Sequence, residues 1–138
     1  MKETKAFLNK VSKIDRLINN KLDEIQQLRS LAESMSISLG ERVQSSGSKH
    51  RMADVVEKYV EMEREVDAEI DKLLLAKKEV IEVIEQLPLD EYDILYQVYV
   101  KGIDLKCCKS DKSYAWIKSV HGRALVNVRE ILRRRKCT

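Results

Sequence analysis

Proline occurs once in this chain of 138 residues and glycine four times. Proline removes a backbone donor and glycine adds backbone entropy, so both interrupt helices. Their scarcity excludes a fold of many short elements joined by tight turns. Aromatic residues make up only 5% of the chain. A deep cofactor pocket is usually lined by several large side chains, so no cofactor is expected. No apolar run approaches the ~20 residues of a membrane-spanning helix. The opening Met1-Lys2-Glu3-Thr4-Lys5 leads into an amphipathic pattern and not into the apolar core of a secretion signal. The expected location is the cytoplasm, with no membrane partner, where the three cysteines stay reduced. There is no Gly-rich phosphate loop, no H-E-x-x-H string and no nucleophile elbow. The carboxylates alternate with Lys and Arg on helix faces, where pairing is their ordinary role. A protein that is not an enzyme is expected.

Charge is abundant, at 36% of residues. With many Lys, Glu, Leu and Ile residues, it describes long, solvent-facing helices. The net charge of +3 conceals a gradient: residues 101–138 hold eleven Lys/Arg against three acids, a balance of +8 that leaves −5 for the remainder. A basic end on an acidic body suits a polyanion partner, and equally suits a solvated helix tail.

Over residues 4–38, Val11, Ile14, Ile18, Leu22, Ile25, Leu28 and Ala32 step by three or four, which places them on one helical stripe. About 30 helical residues measure on the order of 45 Å. The periodicity stops near Ser38 and the stretch with Gly40, Ser45, Ser46, Gly47 and Ser48 reads as a flexible Gly/Ser loop at about 39–52. A second stripe follows in Tyr59, Met62, Val66, Ile70, Leu73, Ala76, Val80, Val83 and Leu87, closed by Pro88. Leu73-Leu74-Leu75 and Val80-Ile81 widen its apolar face late in the helix, as expected of a segment with several neighbours. The simplest arrangement is an antiparallel hairpin over 1–88, with Ile14 and Ile18 close to Val80 and Val83, and Leu28 close to Tyr59 and Met62. Two helices make a thin core, so dimerisation through the hairpin or docking on the remaining chain is expected to complete it.

Residues 89–138 change character. Acids open a short helix from Leu89 to Val100, and Gly102 caps it. A short stretch, Asp104 to Lys109, precedes a polar break at Ser110-Asp111-Lys112, and Ser113 is a good N-cap for a helix from Tyr114 to about Arg135. This is the layout of a helix-turn-helix. The expected fold is thus all-α: a long antiparallel helical hairpin, then a helix-turn-helix domain with a basic tail.

The strings Tyr92-Asp93-Ile94-Leu95-Tyr96, Tyr99-Val100-Lys101-Gly102 and Ser113-Tyr114-Ala115-Trp116-Ile117-Lys118-Ser119-Val120-His121-Gly122-Arg123-Ala124-Leu125 resemble region 4 of sigma-70-type factors. They are most similar to small sigma-like proteins of phages and prophages of Gram-positive bacteria, in which a helical pair with a Gly/Ser-rich interruption precedes the motif. The resemblance implies binding of double-stranded DNA, a role in phage transcription and contact with host RNA polymerase. It implies that Ser113 starts the recognition helix, that Tyr114, Ala115, Lys118 and Ser119 face the major groove, and that Ile117, Val120, Ala124 and Leu125 pack inward. In one respect the chain departs from the family: Asp104 to Asp111 is short, with room for less than two turns of helix.

Lys118, Ser119 and Arg123, with Tyr114 one turn earlier, are residue types that bind phosphates and base edges. Arg133, Arg134 and Arg135 suit backbone phosphates, and suit the negative end of the helix dipole as well. Adjacent Cys107 and Cys108 lack metal-ligand spacing and read as buried apolar thiols, so no metal site is expected. Trp116 reads as packing between the last helix and the one starting at Leu89, and His121 as a packing or hydrogen-bonding residue. The alternative function is a non-enzymatic helical adaptor with a degenerate helix-turn-helix, and the short Asp104–Asp111 stretch favours it.

Overall fold

The stripe of apolar residues begins earlier than Val11. Thr4 and Leu8 continue it at the same spacing, and both are fully buried in the helix α1, Lys2–Arg42, of the computed structural model. The structure describes the backbone of residues 1–42 and 46–137, and the side chains of 1–34 and 53–137. Three further α-helices follow among the described residues: α2, Ser46–Ile84, α3, Leu89–Leu95, and α4, Tyr114–Lys136. A π-helical turn, Tyr96–Val100, extends α3, and a three-residue 3-10 turn, Leu105–Cys107, lies before α4. The described residues hold no strand, and no helix is long and apolar enough to cross a membrane.

The expected loop at about 39–52 is narrowed: within those bounds helix continues to Arg42 and resumes at Ser46, and 43–45 lie outside the described residues. Once a helix is nucleated each added residue gains a backbone hydrogen bond. Serine costs less than about 0.7 kcal/mol relative to alanine and glycine about 1, so a few of them do not stop two long helices. At its other end α2 stops before the expected Leu87. Gln86 and Leu87 donate to the carbonyls of Val83 and Ile84, a tightening that precedes Pro88, where φ −55° and ψ 152° start α3.

The chain forms two compact units that do not follow chain order at residue 88: Met1–Asp15 with Leu74–Thr138, and Arg16–Leu73. In the second, Ile25, Leu28, Val66 and Ile70 are buried together, with Ile18 and Tyr59 packed on them. Lys21 pairs with Glu69, and Arg29 Nε donates to Glu63 at 2.7 Å, which sets α1 and α2 antiparallel in this unit. Leu28 therefore lies with Tyr59 as expected. Leu22 and Met62, expected in the stripe, are exposed at 51% and 37%. Lys21 and Glu63 are half-buried instead, and their charges reach the facing helix in pairs with Glu69 and Arg29.

In the first unit Leu8 and Val11 of α1 meet Val80, Val83, Ile84 and Leu87, together with Leu95, Tyr99, Ala124, Leu125 and Val128. Asp15 pairs with Lys77 at 2.8 Å. Val80 and Val83 thus belong with Leu8 and Val11, and the expected proximity to Ile14 and Ile18 is shifted by about two turns of helix. The end of α2 has several neighbours as its widened face suggested, although Leu74 and Leu75 are exposed at 48% and 67% and take no part.

Candidate functional site

The basic helix α4 is held by two layers of side chains. Ala124, Leu125 and Val128 enter the larger cluster, while Ile117 and Val120 join Ile94 and Cys108 in a second one, on which Trp116 packs. All four residues expected to face inward do so, and Trp116 lies where packing against α3 placed it.

Ser113 caps α4. Its backbone is extended (φ −68°, ψ 159°) and its hydroxyl accepts the Trp116 amide at 3.2 Å. Beyond the cap, Tyr114, Ala115, Lys118 and Ser119 are exposed on successive turns, and the Lys118 ammonium sits 5.3 Å from the centre of the Tyr114 ring. Exposed Gly122 and Val126 continue the same face at the spacing of one turn, which the sequence reading missed. No atom lies within 4 Å of a Cβ built on Gly122, so bare backbone stands beside Lys118.

Arg123 is placed differently. Its side chain is 57% exposed, but Nη2 lies 3.4 Å from Asp90 and Nε 3.7 Å from Glu91. Glu91 is 2% exposed and accepts a 2.6 Å hydrogen bond from Asn127 Nδ2. A buried carboxylate thus ties α3 to α4 through Arg123 and Asn127. The signal for it in the sequence was faint: acids at a helix start satisfy a dipole equally well.

The basic tail lies elsewhere. From Lys118 to Arg133 the rise along α4 is about 22 Å. Arg133 lies 3.5 Å from Glu130, Arg135 pairs with Glu79 at 3.0 Å, and Arg134 is exposed. The structure therefore brings Ser113, Tyr114, Ala115, Lys118 and Ser119 together and leaves Arg133, Arg134 and Arg135 at the other end of the helix.

The chain matches no family model, no curated protein and no solved structure.

Between α3 and α4 the chain is pinned without a regular helix. Gly102 takes a left-handed φ of 71°, and the Ile103 amide returns to the Gln97 carbonyl at 2.9 Å. Gln97 then grips the next segment with both ends of its side chain: its Oε1 accepts the Lys109 amide at 2.7 Å and its Nε2 donates to the Lys109 carbonyl at 3.3 Å. Cys107 is exposed and Cys108 buried, so the expectation of two buried thiols holds for one of them. Its burial, with help from Cys107 and Asp104, pushes the Cys108 thiol above its ordinary pKa. His121 stacks on Tyr99 at 5.8 Å, with Nε2 3.0 Å from the hydroxyl. Burial lowers its pKa and the Lys5 charge adds to the effect.

Proposed function

We propose that the protein is a DNA-binding transcriptional regulator of the phage sigma-like type, with Ser113–Ser119 at the start of its recognition helix. The observation that carries this reading is the exposed, uncommitted face of Tyr114, Ala115, Lys118, Ser119 and Gly122 at the capped end of a helix whose opposite side is buried. Lysine and the positive helix end favour phosphate, and tyrosine and serine add hydrogen bonds. Exposed Leu17, Leu22 and Leu31 of α1 and Val56, Val60 and Met62 of α2 support self-association or polymerase contact through those helices.

Fluorescence anisotropy on duplexes selected from a random library, and on their scrambled counterparts, tests the reading. Lys118→Ala should weaken binding by about 1–3 kcal/mol without loss of helicity. Arg123→Ala is the less clean probe, because it also frees the buried Glu91 carboxylate from a partner. Trimming Arg133 to Lys136 should lower affinity for all duplexes alike and flatten its salt dependence. A second reading, a helical adaptor, is favoured by the three-residue turn at Leu105–Cys107 that stands where the motif's first helix would be. Failure to bind any duplex at low salt replaces the regulator with the adaptor.

A further inference from the structure

A groove of about 880 Å³ opens between the start of α1 and the end of α4, with Glu79 of α2 on its rim. Its size falls in the range of small-molecule sites. Six cationic side chains and two carboxylates line it. One carboxylate, Glu79, is engaged by Arg135. Among the described residues no carboxylate lies within ion-pair distance of Lys2, Lys10, Arg129 or Lys136. Phe7 and Leu132 give the groove an apolar wall, and the Lys10 ammonium is held over the Phe7 ring at 5.3 Å. The Nε of Arg129 is buried with no hydrogen-bond acceptor, an unfavourable state for a charged donor.

We propose that this groove binds a small phosphorylated molecule of nucleotide size. Several converging cations match an anion of two or more charges better than a single carboxylate, and guanidinium groups bind phosphate oxygens in pairs. The apolar wall of Phe7 and Leu132 takes the uncharged part of the ligand. The proposal does not depend on the recognition face Tyr114–Ser119, which lies at the opposite end of α4, although Arg133, Arg135 and Lys136 line the groove and also form the basic tail of the DNA reading.

Isothermal titration of the full chain with ATP, inorganic pyrophosphate and adenosine at low salt tests it. ATP should bind saturably at one site, pyrophosphate more weakly, and adenosine not at all. Lys2→Glu and Lys136→Glu, both at exposed positions, should each weaken ATP by about tenfold or more with unchanged far-ultraviolet circular dichroism. Lys118→Ala should leave ATP binding as it was. The proposal is overturned by an absence of saturable binding up to millimolar ATP, or by affinity that ignores both charge reversals. It is overturned too if duplex DNA displaces ATP and Lys118→Ala weakens both, since the nucleotide would then be reading the DNA surface.

Discussion

His121 carries a charge only at a cost in this fold. Burial first, and Lys5 second, hold its pKa below the ordinary 6.5. As pH falls the unfolded chain takes up this proton before the folded one does, so the histidine's contribution to stability is complete above about pH 6.5 and is lost as pH drops through the lower, folded value. The melting temperature should therefore fall on acidification from about pH 7 to pH 5, and His121→Phe, which keeps a ring on Tyr99, should remove part of that slope. Thermal melts of both proteins across this range decide it. An identical slope in the variant would assign the acid sensitivity to other groups. The sequence placed His121 among packed neighbours but named no partner, because Tyr99 lies 22 residues away and only the fold joins them. The same holds for Glu91. Nothing in Asp90-Glu91 distinguishes the exposed acid from the one that Asn127 and Arg123 hold in the interior.

At the scale of elements, the turn after α3 is where backbone conformation matters most. Gly102 has a left-handed φ of 71°, and a Cβ there would meet no atom within 4 Å. Gly102→Ala should thus lose stability through backbone strain alone, by about 1–2 kcal/mol, with unchanged helicity at low denaturant; urea unfolding measures it. Full wild-type stability would mean that the turn finds another route. This glycine was legible in the sequence because it follows a helical pattern and precedes a polar stretch. So was the α4 cap, since Ser113 stands immediately before a run with helical spacing. The Gln97 grip on Lys109 was not legible, since a glutamine side chain that takes the place of helix hydrogen bonds leaves no periodic trace. The bounds 39–52 were too wide for the opposite reason. Gly40, Ser46, Gly47 and Ser48 signal a loop locally, but they lie in α1 and α2, where helix propagation outweighs that preference. Stripe positions misled at Leu22 and Met62, where Lys21 and Glu63 serve the seam better by pairing across it.

At the scale of the molecule, the two compact units differ in the apolar core that each encloses. The unit formed by Met1–Asp15 and Leu74–Thr138 contains both the large cluster around Leu8, Val80, Leu95 and Val128 and the smaller one around Ile94 and Val120. Arg16–Leu73 rests on Ile25, Leu28, Val66 and Ile70, and its cross-helix ion pairs are largely exposed. Exposed pairs add at most about 1 kcal/mol each, so among the described residues of that unit the buried cluster of Ile25, Leu28, Val66 and Ile70 carries most of the packing. Free energies of local opening follow the density of buried contacts. Backbone amides of 16–34 and 53–73 should exchange with deuterium faster than those of 80–84 and 117–128. Leu28→Ala removes one of these buried groups and should cost about 2 kcal/mol or more. It should accelerate exchange within 16–73 and leave protection around Val120 and Val128 almost unchanged. Hydrogen exchange resolved by segment reads both effects. Equal acceleration across the whole chain would show that the units open together, and the binding properties of α4 would then follow the stability of Arg16–Leu73.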